Sequence, residues 1–161
     1  MGPALSPDGG EGMSLDAAIG QRVSVSKTVA ESDVYLFAGI TGDLAPNHVD
    51  EEFMRGTQYG RRIAHGALLV GYMSRASSAI VDKITGENSL LYPVSLGYDR
   101  VRFLKPVFIG DTVTVSYEVT GSEPEKARTL AAVEVTNQAG EVVAVATHIM
   151  KWLPRIKDRQ D

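Results

Sequence analysis

The sequence predicts an α+β protein in which one antiparallel sheet wraps around a single long helix. Residues 64–82 are apolar around nearly the whole circumference of a helix, which is typical of a buried helix. Stretches before and after it alternate between apolar and polar residues, as strands do, and the turns that join the later ones are short. Since strands joined by short turns pair antiparallel, the pattern favours one sheet packed on that helix.

Several stretches have the alternation expected of strands. In the clearest of them every second residue is large and apolar, which would place these side chains on one buried face: Val113, Val115, Tyr117 and Val119. The residues from Asn137 to Gly140 have the composition of a hairpin turn and separate the last two strands. The predicted strands are 22–29, 95–103, 112–120, 128–136 and 141–152.

The long helix would extend for about 28 Å, because each helical residue adds 1.5 Å. Its many small residues would allow a sheet to approach it closely. Two short helices are predicted before it. Ser32 is a suitable N-cap for the first, over 33–39, and the second covers 50–55.

The composition excludes several classes of protein and of site. Lys and Arg number 16 and Asp and Glu number 20, giving a net charge of −4, whereas nucleic-acid-binding surfaces are usually basic. The chain has no cysteine, so it contains no disulfide, no thiolate metal site and no cysteine nucleophile. Its 3 histidines lack the spacing of metal ligands, so we expect neither a metal nor a cofactor.

The start of the 161-residue chain differs in composition from the rest. Residues 1–13 are rich in Gly, Pro and Ser, so we expect a disordered tail there and a single domain over 14–161. The opening residues lack the basic and apolar segments of a secretory signal. The apolar stretch 64–81 contains Arg75 and several Ser and Gly residues, which favours a buried helix over a membrane span. We therefore expect a cytoplasmic protein.

The segment TGDLAPNHVDEEF, Thr41–Phe53, places an acid and a histidine close together. In a helix, Asp43 and His48 would point about 140° apart, because each residue turns the helix by about 100°. Pro46 lies between them and is incompatible with a regular helix through the segment, so a loop could direct both side chains to one point. A carboxylate and an imidazole that share one water form an acid–base pair. The alternative is an ordinary polar turn.

Three segments resemble the MaoC-like (R)-specific enoyl-CoA hydratase family. GITGDLAPNHVDEEF is similar to the hydratase motif of that family, and RRIAHGALLVGYMSR to its Ala-His-Gly at the start of a long helix. YDRVRFLKPVFIGDTVTVSYEV resembles the Phe-x-x-Pro-Val-x-x-Gly-Asp strand pair of the family. The resemblance covers residues 23–153. It implies the hot-dog fold, an antiparallel sheet wrapped around a central helix, and a hydratase or dehydratase of acyl thioesters.

The resemblance also implies roles for individual residues. Asp43 and His48 match the catalytic acid–base pair, and Gly66 matches the residue whose backbone N–H receives the thioester oxygen. Ser74 matches a serine near the site of the family. Where the family usually has Asn, two residues after the catalytic Asp, this chain has Ala45. That departure suggests a lower hydratase rate or a different substrate.

In the implied mechanism, water lies between Asp43 and His48 and adds to an α,β-unsaturated acyl thioester, giving an (R)-3-hydroxyacyl thioester. Asp43 is the favoured base and His48 the favoured proton donor, although the two roles can be exchanged. A hot-dog thioesterase would need an acid on the long helix, and residues 64–81 contain none. The other alternative is a non-catalytic acyl-binding or accessory subunit, which the missing Asn favours and the retained acid–base pair opposes.

Residues next to this site suggest further contacts. His65 would border the substrate pocket or bond to backbone at the N-terminus of the helix. Arg61 and Arg62 are candidates for binding the phosphates of coenzyme A. The acyl carrier would be coenzyme A or acyl carrier protein, and the sequence specifies neither the carrier nor the acyl chain. A single wrapped sheet has edges to protect and would carry apolar residues on its convex face, so we expect a homodimer or a dimer of dimers, as in the family.

Overall fold

The fold is built on a five-stranded antiparallel sheet with strand order β1-β3-β4-β5-β2. The computed structural model describes residues 14–85 and 89–155, so the predicted tail over 1–13 lies outside the described residues. The strands are β1 Arg22–Thr28, β2 Leu91–Phe103, β3 Thr112–Glu123, β4 Arg128–Thr136 and β5 Val142–Pro154. The helices are α1 Glu31–Thr41, α2 Pro46–Val49, α3 Glu51–Arg55 and α4 Gly66–Ile84, with short 3-10 turns at Leu15–Ala18 and Pro124–Lys126. The predicted α+β architecture is confirmed.

The central strands bury the alternating apolar residues that predicted them. In β3 all four of these side chains are at most 2% exposed: Val113, Val115, Tyr117 and Val119. The intervening positions of the outer strands carry polar residues that pair across the sheet, such as Ser26 with Thr114 (2.9 Å). In β1 and β3 the apolar set therefore points into the core, and the apolar residues expected on the convex face are not found on these two strands.

The long helix α4 begins two residues later than predicted, at Gly66. Ala64 still donates its N–H to Val107 outside the helix (2.7 Å), and His65 has an extended backbone. Only one stripe of α4 is buried within the chain, formed by Leu69, Met73, Ala76, Ser77 and Ile80. The prediction of burial on most sides is wrong, because the sheet covers one face of the helix and its other face remains exposed. Among the described residues no helix is long and apolar enough to cross a bilayer.

The short helices differ from prediction at their starts. α1 begins at Glu31, so Ser32 is not its cap; instead the Asp33 carboxylate accepts the N–H of Ala30 (2.8 Å). The helical turn α2 was not predicted. Pro46 is its first residue, a position where the missing N–H of proline costs no hydrogen bond. His48 therefore lies in a helical turn, and not in the loop that the sequence suggested.

Strand β2 forms one edge of the sheet and is the most irregular strand. Its register with β5 shifts between Ser95 and Gly97 and again between Asp99 and Arg102. It exposes large apolar side chains, with Tyr92, Leu96 and Phe103 each between 44% and 51% exposed. α4 packs mainly against β1 and β3, at the opposite side of the sheet. This placement leaves space between α4 and β2.

Candidate active site

Asp43 lies in the turn that follows α1. Gly42 ends that helix in the left-handed conformation (φ 78°), which glycine adopts without the steric cost of a side chain. The Asp43 carboxylate accepts a hydrogen bond from the N–H of Ala45 (3.3 Å), and the Asp43 side chain remains half exposed. The acid is thus held by its own turn and is accessible to water.

His48 is buried in α2, and two contacts define its tautomer. Its Nδ1 lies 2.8 Å from the carbonyl oxygen of Ile63, which can only accept, so Nδ1 carries the hydrogen. Its Nε2 lies 3.1 Å from the side-chain nitrogen of Asn47, which can only donate, so Nε2 is unprotonated. These contacts match the tautomer of His48 with its hydrogen on Nδ1, and they place Nε2 next to Asn47.

His65 packs against both members of the predicted pair. Its ring stacks on the ring of His48 with centroids 3.7 Å apart, and the residue is only 1% exposed. Its Nε2 donates to the backbone oxygen of Asp43 (3.0 Å) and lies 4.0 Å from the Asp43 carboxylate. His65 thus joins the turn that carries the acid to the buried imidazole of His48.

The three side chains are close enough together to raise the question of a metal ion. Donor atoms of Asp43, His48 and His65 all lie within 4.8 Å of one another. However, Nε2 of His48 already accepts from Asn47, and Nε2 of His65 already donates to a carbonyl oxygen. A metal ion would have to displace a hydrogen bond of His48, whereas Nδ1 of His65 has no hydrogen-bond partner among the described residues; a metal-independent site stays our prediction.

Gly66 begins α4 and lines the same cleft as His48. This cleft has a volume of about 370 Å³. The first N–H groups of a helix have no partner within the helix, so the N–H of Gly66 can bind an oxygen in the cleft. A Cβ atom at Gly66 would lie 2.6 Å from the ring of Phe103, so glycine is needed for Phe103 to close against the helix start. We call this space the catalytic cleft.

Ser74 and Ala45, which the sequence placed near the substrate, do not line the catalytic cleft. Ser74 follows Gly66 by eight residues on α4, which is about 12 Å at 1.5 Å per residue. It lines a second cleft of about 360 Å³ and does not line the catalytic cleft. Ala45 precedes α2 and contacts Asp43 through its backbone N–H and not through its side chain.

The two arginines have different surroundings. Arg62 forms ion pairs with Glu31 and Glu51 and bonds to the hydroxyl of Tyr35, so it links α1 to α3. The hydrogen bond from Arg62 holds the pKa of Glu51 below its usual value. Arg61 is exposed, with its guanidinium over the ring of Phe108 at 4.0 Å. Within residues 14–85 and 89–155 Arg61 has no acid partner, so of the two arginines it is the one whose charge faces solvent.

Comparison with known proteins gives the wider relationship of this chain. Residues 14–143 match the model of the MaoC like domain. The chain belongs to the MaoC-like family. It is 41% identical over 111 residues to the (R)-specific enoyl-CoA hydratase of Rhodospirillum rubrum, covering 69% of this chain and 72% of that protein. It is 32% identical over 140 residues to the 3-hydroxybutyryl-CoA dehydratase of Methylorubrum extorquens, covering 87% and 83% of the two proteins.

A solved structure of a family member supports the same relationship. The unliganded R-hydratase of Pseudomonas aeruginosa aligns with this chain at a TM-score of 0.69 and 32% sequence identity, and the alignment covers 89% of each chain. The fold of this MaoC-like chain is therefore the hot-dog fold that the resemblance implied.

Sequence reasoning missed some residues of the catalytic cleft in this MaoC-like chain. Asn47, Tyr59, Phe103 and Lys105 all line it. Asn47 stands next to His48 in the sequence, which was a usable signal. The others come from separate segments, so only the folded chain brings them to the site. Lys105 is paired with Glu141 (2.5 Å), which satisfies its charge in this structure.

Proposed function

We propose that this MaoC-like protein is a hydratase and dehydratase that adds water reversibly to α,β-unsaturated acyl-CoA thioesters to give (R)-3-hydroxyacyl thioesters. The observation that carries the proposal is the placement of three groups. The imidazole of His48 and the N–H of Gly66 share one cleft, and the carboxylate of Asp43 lies within 4.8 Å of the imidazole. The names of the relatives from Rhodospirillum rubrum and Methylorubrum extorquens describe the two directions of this type of reaction.

The start of α4 supplies the binding site for the thioester oxygen in this proposal. As water adds to the β-carbon, negative charge develops on that oxygen. In this proposal the N–H of Gly66, the first residue of α4, donates to it, and the positive end of the helix dipole stabilises the same charge. Loss of one such donor typically costs about 3 kcal/mol of transition-state stabilisation.

Proton transfer falls to Asp43 and His48, and the hydrogen bonds favour the exchanged assignment of their roles. Since Nε2 of His48 is unprotonated, it can accept a proton from the water once the water has displaced the amide of Asn47 from it. The Asp43 carboxylate accepts the other O–H of the same water and orients it. The hydroxyl oxygen forms a bond to the β-carbon, and the imidazolium returns its proton to the α-carbon. One water is consumed, and both side chains end in their starting states.

Hydration of crotonyl-CoA by the purified protein tests the proposal. We expect the enoyl absorbance to fall without release of free thiol, and chiral analysis of the product to give the (R)-3-hydroxy isomer. Release of free CoA would instead indicate the thioesterase. Binding of acyl-CoA with no chemical change would indicate the accessory subunit.

The position of Arg61 suggests how the carrier is bound. Its exposed guanidinium lies over Phe108, near the segment that lines the catalytic cleft, so we assign it to a phosphate of coenzyme A. A phosphopantetheine of acyl carrier protein would offer a phosphate of the same kind. Arg62 is less suited to this role because two carboxylates already neutralise it. We place this chemistry in the cytoplasm, as the sequence predicts.

The edge strand β2 is the surface through which we expect a homodimer. It is 13 residues long, and its outer edge has no neighbouring strand among the described residues. Long edge strands with exposed apolar residues readily pair with another chain. Tyr92, Leu96 and Phe103 provide such residues. Pairing of two β2 strands would join the sheets of two protomers.

A further inference from the structure

The catalytic cleft and the second cleft lie on the same side of α4. Gly66 and Ala67 line the first, and Ser74 and Ser78 line the second. At 100° per residue these four positions fall within about a third of the helix circumference. β2 also contributes to both clefts, through Phe103 to the first and through Pro93 and Ser95 to the second. An acyl chain anchored at Gly66 that followed this side of α4 would therefore extend toward the second cleft.

A buried polar network borders this second cleft. His148 on β5 is 0% exposed and lines the cleft. The hydroxyl of Ser95 lies 2.8 Å from its Nε2, and the hydroxyl of Tyr117 lies 2.7 Å from its Nδ1. The ring of Tyr98 stacks on the imidazole with centroids 4.3 Å apart. These polar groups would not strengthen the binding of a purely hydrocarbon tail. Burial of polar groups is also costly unless they are hydrogen-bonded.

The burial of Tyr117 determines the direction of these hydrogen bonds. Tyr117 is 2% exposed, and a buried hydroxyl hydrogen without an acceptor costs about 1–3 kcal/mol, so Tyr117 donates to Nδ1 of His148. Burial lowers the pKa of His148 to about 4, so the ring is neutral and its one hydrogen is on Nε2. That hydrogen is donated to the oxygen of Ser95. The hydroxyl hydrogen of Ser95, which lines the cleft, is left for a ligand.

We propose that the second cleft recognises a neutral oxygen, of a hydroxyl or keto group, on the distal part of the acyl chain, and that Ser95 is the donor that selects it. This inference rests on the proposed function, because it takes the acyl thioester to be anchored at Gly66. The separation of about 12 Å between Gly66 and Ser74 along α4 corresponds to a medium-length acyl chain.

The charges around the cleft favour a neutral group over a carboxylate. Among its described lining residues there is no Lys or Arg, and the only charged side chain is that of Asp82. A terminal carboxylate would be repelled by Asp82 and would have no cation to pair with. His148 cannot serve as that cation, because its ring is neutral near pH 7.

Medium-chain trans-2-enoyl-CoA substrates that differ only at the terminal group provide the test. The three terminal groups are methyl, hydroxyl and carboxylate, on chains of equal length. We expect kcat/KM to be about three- to tenfold higher for the hydroxyl than for the methyl compound, the range expected of one neutral hydrogen bond. We expect the carboxylate compound to be the poorest of the three. Equal or higher kcat/KM for the methyl or carboxylate compound would overturn the inference.

The variant Ser95→Ala, compared with Ser116→Ala, assigns the preference to a residue. Ser116 is an exposed strand serine that lines neither the catalytic nor the second cleft, so its variant controls for the loss of a strand hydroxyl. We expect Ser95→Ala to remove the preference for the hydroxyl substrate and to leave crotonyl-CoA hydration unchanged, since crotonyl-CoA is too short to reach Ser95. A preference that persists in Ser95→Ala contradicts the role of Ser95. If Ser95→Ala does not fold, the kcat/KM values of the wild-type chain for the hydroxyl and methyl compounds still test the inference.

Binding measurements separate this inference from the proposed function. The saturated acyl-CoA analogues with the same terminal groups cannot be hydrated, and calorimetry gives their dissociation constants. Tighter binding of the hydroxyl analogue, lost in Ser95→Ala, supports the inference even if crotonyl-CoA is not hydrated. Equal dissociation constants for the methyl and hydroxyl analogues contradict it even if crotonyl-CoA is hydrated.

Discussion

The side chains of Asp43 and His48 have different environments, and this difference sets what a substitution at each will do. Asp43 is half exposed and held by one backbone N–H, whereas His48 is buried, bonded at both ring nitrogens and stacked on His65. Removal of the acid should therefore affect the reaction alone. Removal of the imidazole should affect the reaction and the packing.

We expect Asp43→Asn and His48→Ala each to reduce kcat for crotonyl-CoA by at least about 100-fold, the typical contribution of a general acid or base. Thermal unfolding should leave the melting temperature of Asp43→Asn close to that of the wild type. In His48→Ala the lost hydrogen bonds and the exposed partners should cost about 1–3 kcal/mol of stability. Wild-type turnover in either variant would show that the segment is only structural.

Ala45 offers a second test at a single residue. It flanks the start of α2 but has no side-chain group to cap that helix, and Asn is among the best capping residues. We expect Ala45→Asn to raise the free energy of unfolding by about 1 kcal/mol and to preserve or increase the rate on crotonyl-CoA. If Ala45 instead makes room for a branched acyl group, the variant should lose activity on branched substrates only. Unchanged stability and unchanged rates on both substrates would contradict both accounts.

At the scale of secondary-structure elements, the catalytic segment is held by contacts between helices. Arg62 joins α1 to α3, and the next residue, Ile63, provides the carbonyl oxygen that fixes the tautomer of His48. A second group of contacts joins three strands, because His148 on β5 is buried between Ser95 on β2 and Tyr117 on β3. A substitution in one group of contacts should therefore have a different effect from a substitution in the other.

We expect Arg62→Gln to lower both the melting temperature and kcat, because loss of its ion pairs would loosen the segment that carries Ile63 and hence His48. Arg61→Gln is the matched control. If Arg61 binds a phosphate of the carrier, its variant should raise KM for acyl-CoA and leave kcat and the melting temperature nearly unchanged. The reverse pattern, with KM raised only by Arg62→Gln, would assign the phosphate to Arg62.

His148 should make stability depend on pH. Its folded-state pKa is lowered from 6.5 to about 4 by burial, so between these values the unfolded chain binds more protons. Stability is therefore lost as the pH falls from about 6.5 to about 4, by about 3 kcal/mol over the whole window. We expect denaturant titrations of His148→Gln to show a smaller loss over this window than those of the wild type. Equal losses of stability in the two proteins would mean that the ring of His148 is already protonated in the folded chain or is accessible to solvent.

At the scale of the whole molecule, exposed apolar side chains lie along one edge of the sheet as well as on α1 and in the turn that follows it, as with Leu36, Ile40 and Leu44. The outward positions of β1 and β3 are polar and pair across the strands, as in Ser26 with Thr114 and Arg22 with Glu118. Edge strand β2 instead exposes Leu96 and Tyr92. An assembly that covers β2 would remove this apolar surface from water and complete the hydrogen bonds of the edge.

We expect light scattering at micromolar concentration to give the mass of a dimer or a dimer of dimers. Leu96→Lys should shift the protein toward monomer, because it would place two charges at the joined edges. Leu36→Lys provides the control, since Leu36 is 68% exposed and belongs to α1 and not to β2. A monomer mass for the wild type, or dissociation caused equally by both variants, would contradict dimerisation through β2.

The α+β architecture could be predicted from the sequence, because side-chain alternation and helical periodicity are local properties of the chain. The strand 128–136 was predicted at its observed bounds, and the alternating apolar set of β3 is buried. The motif around Asp43, His48 and Gly66 was also readable, and through it the family. These features depend on residues that are close together in the sequence.

Contacts between distant segments could be established only from the folded chain. His65 stacks on His48, the carbonyl of Ile63 sets the tautomer of His48, and Phe103 closes against Gly66. Each of these contacts joins residues from different segments of the chain. The network of Ser95, Tyr117 and His148 comes from three strands and has no local signature. Such contacts depend on strand order and on bulges such as those in β2, which backbone hydrogen bonds set and local periodicity does not encode.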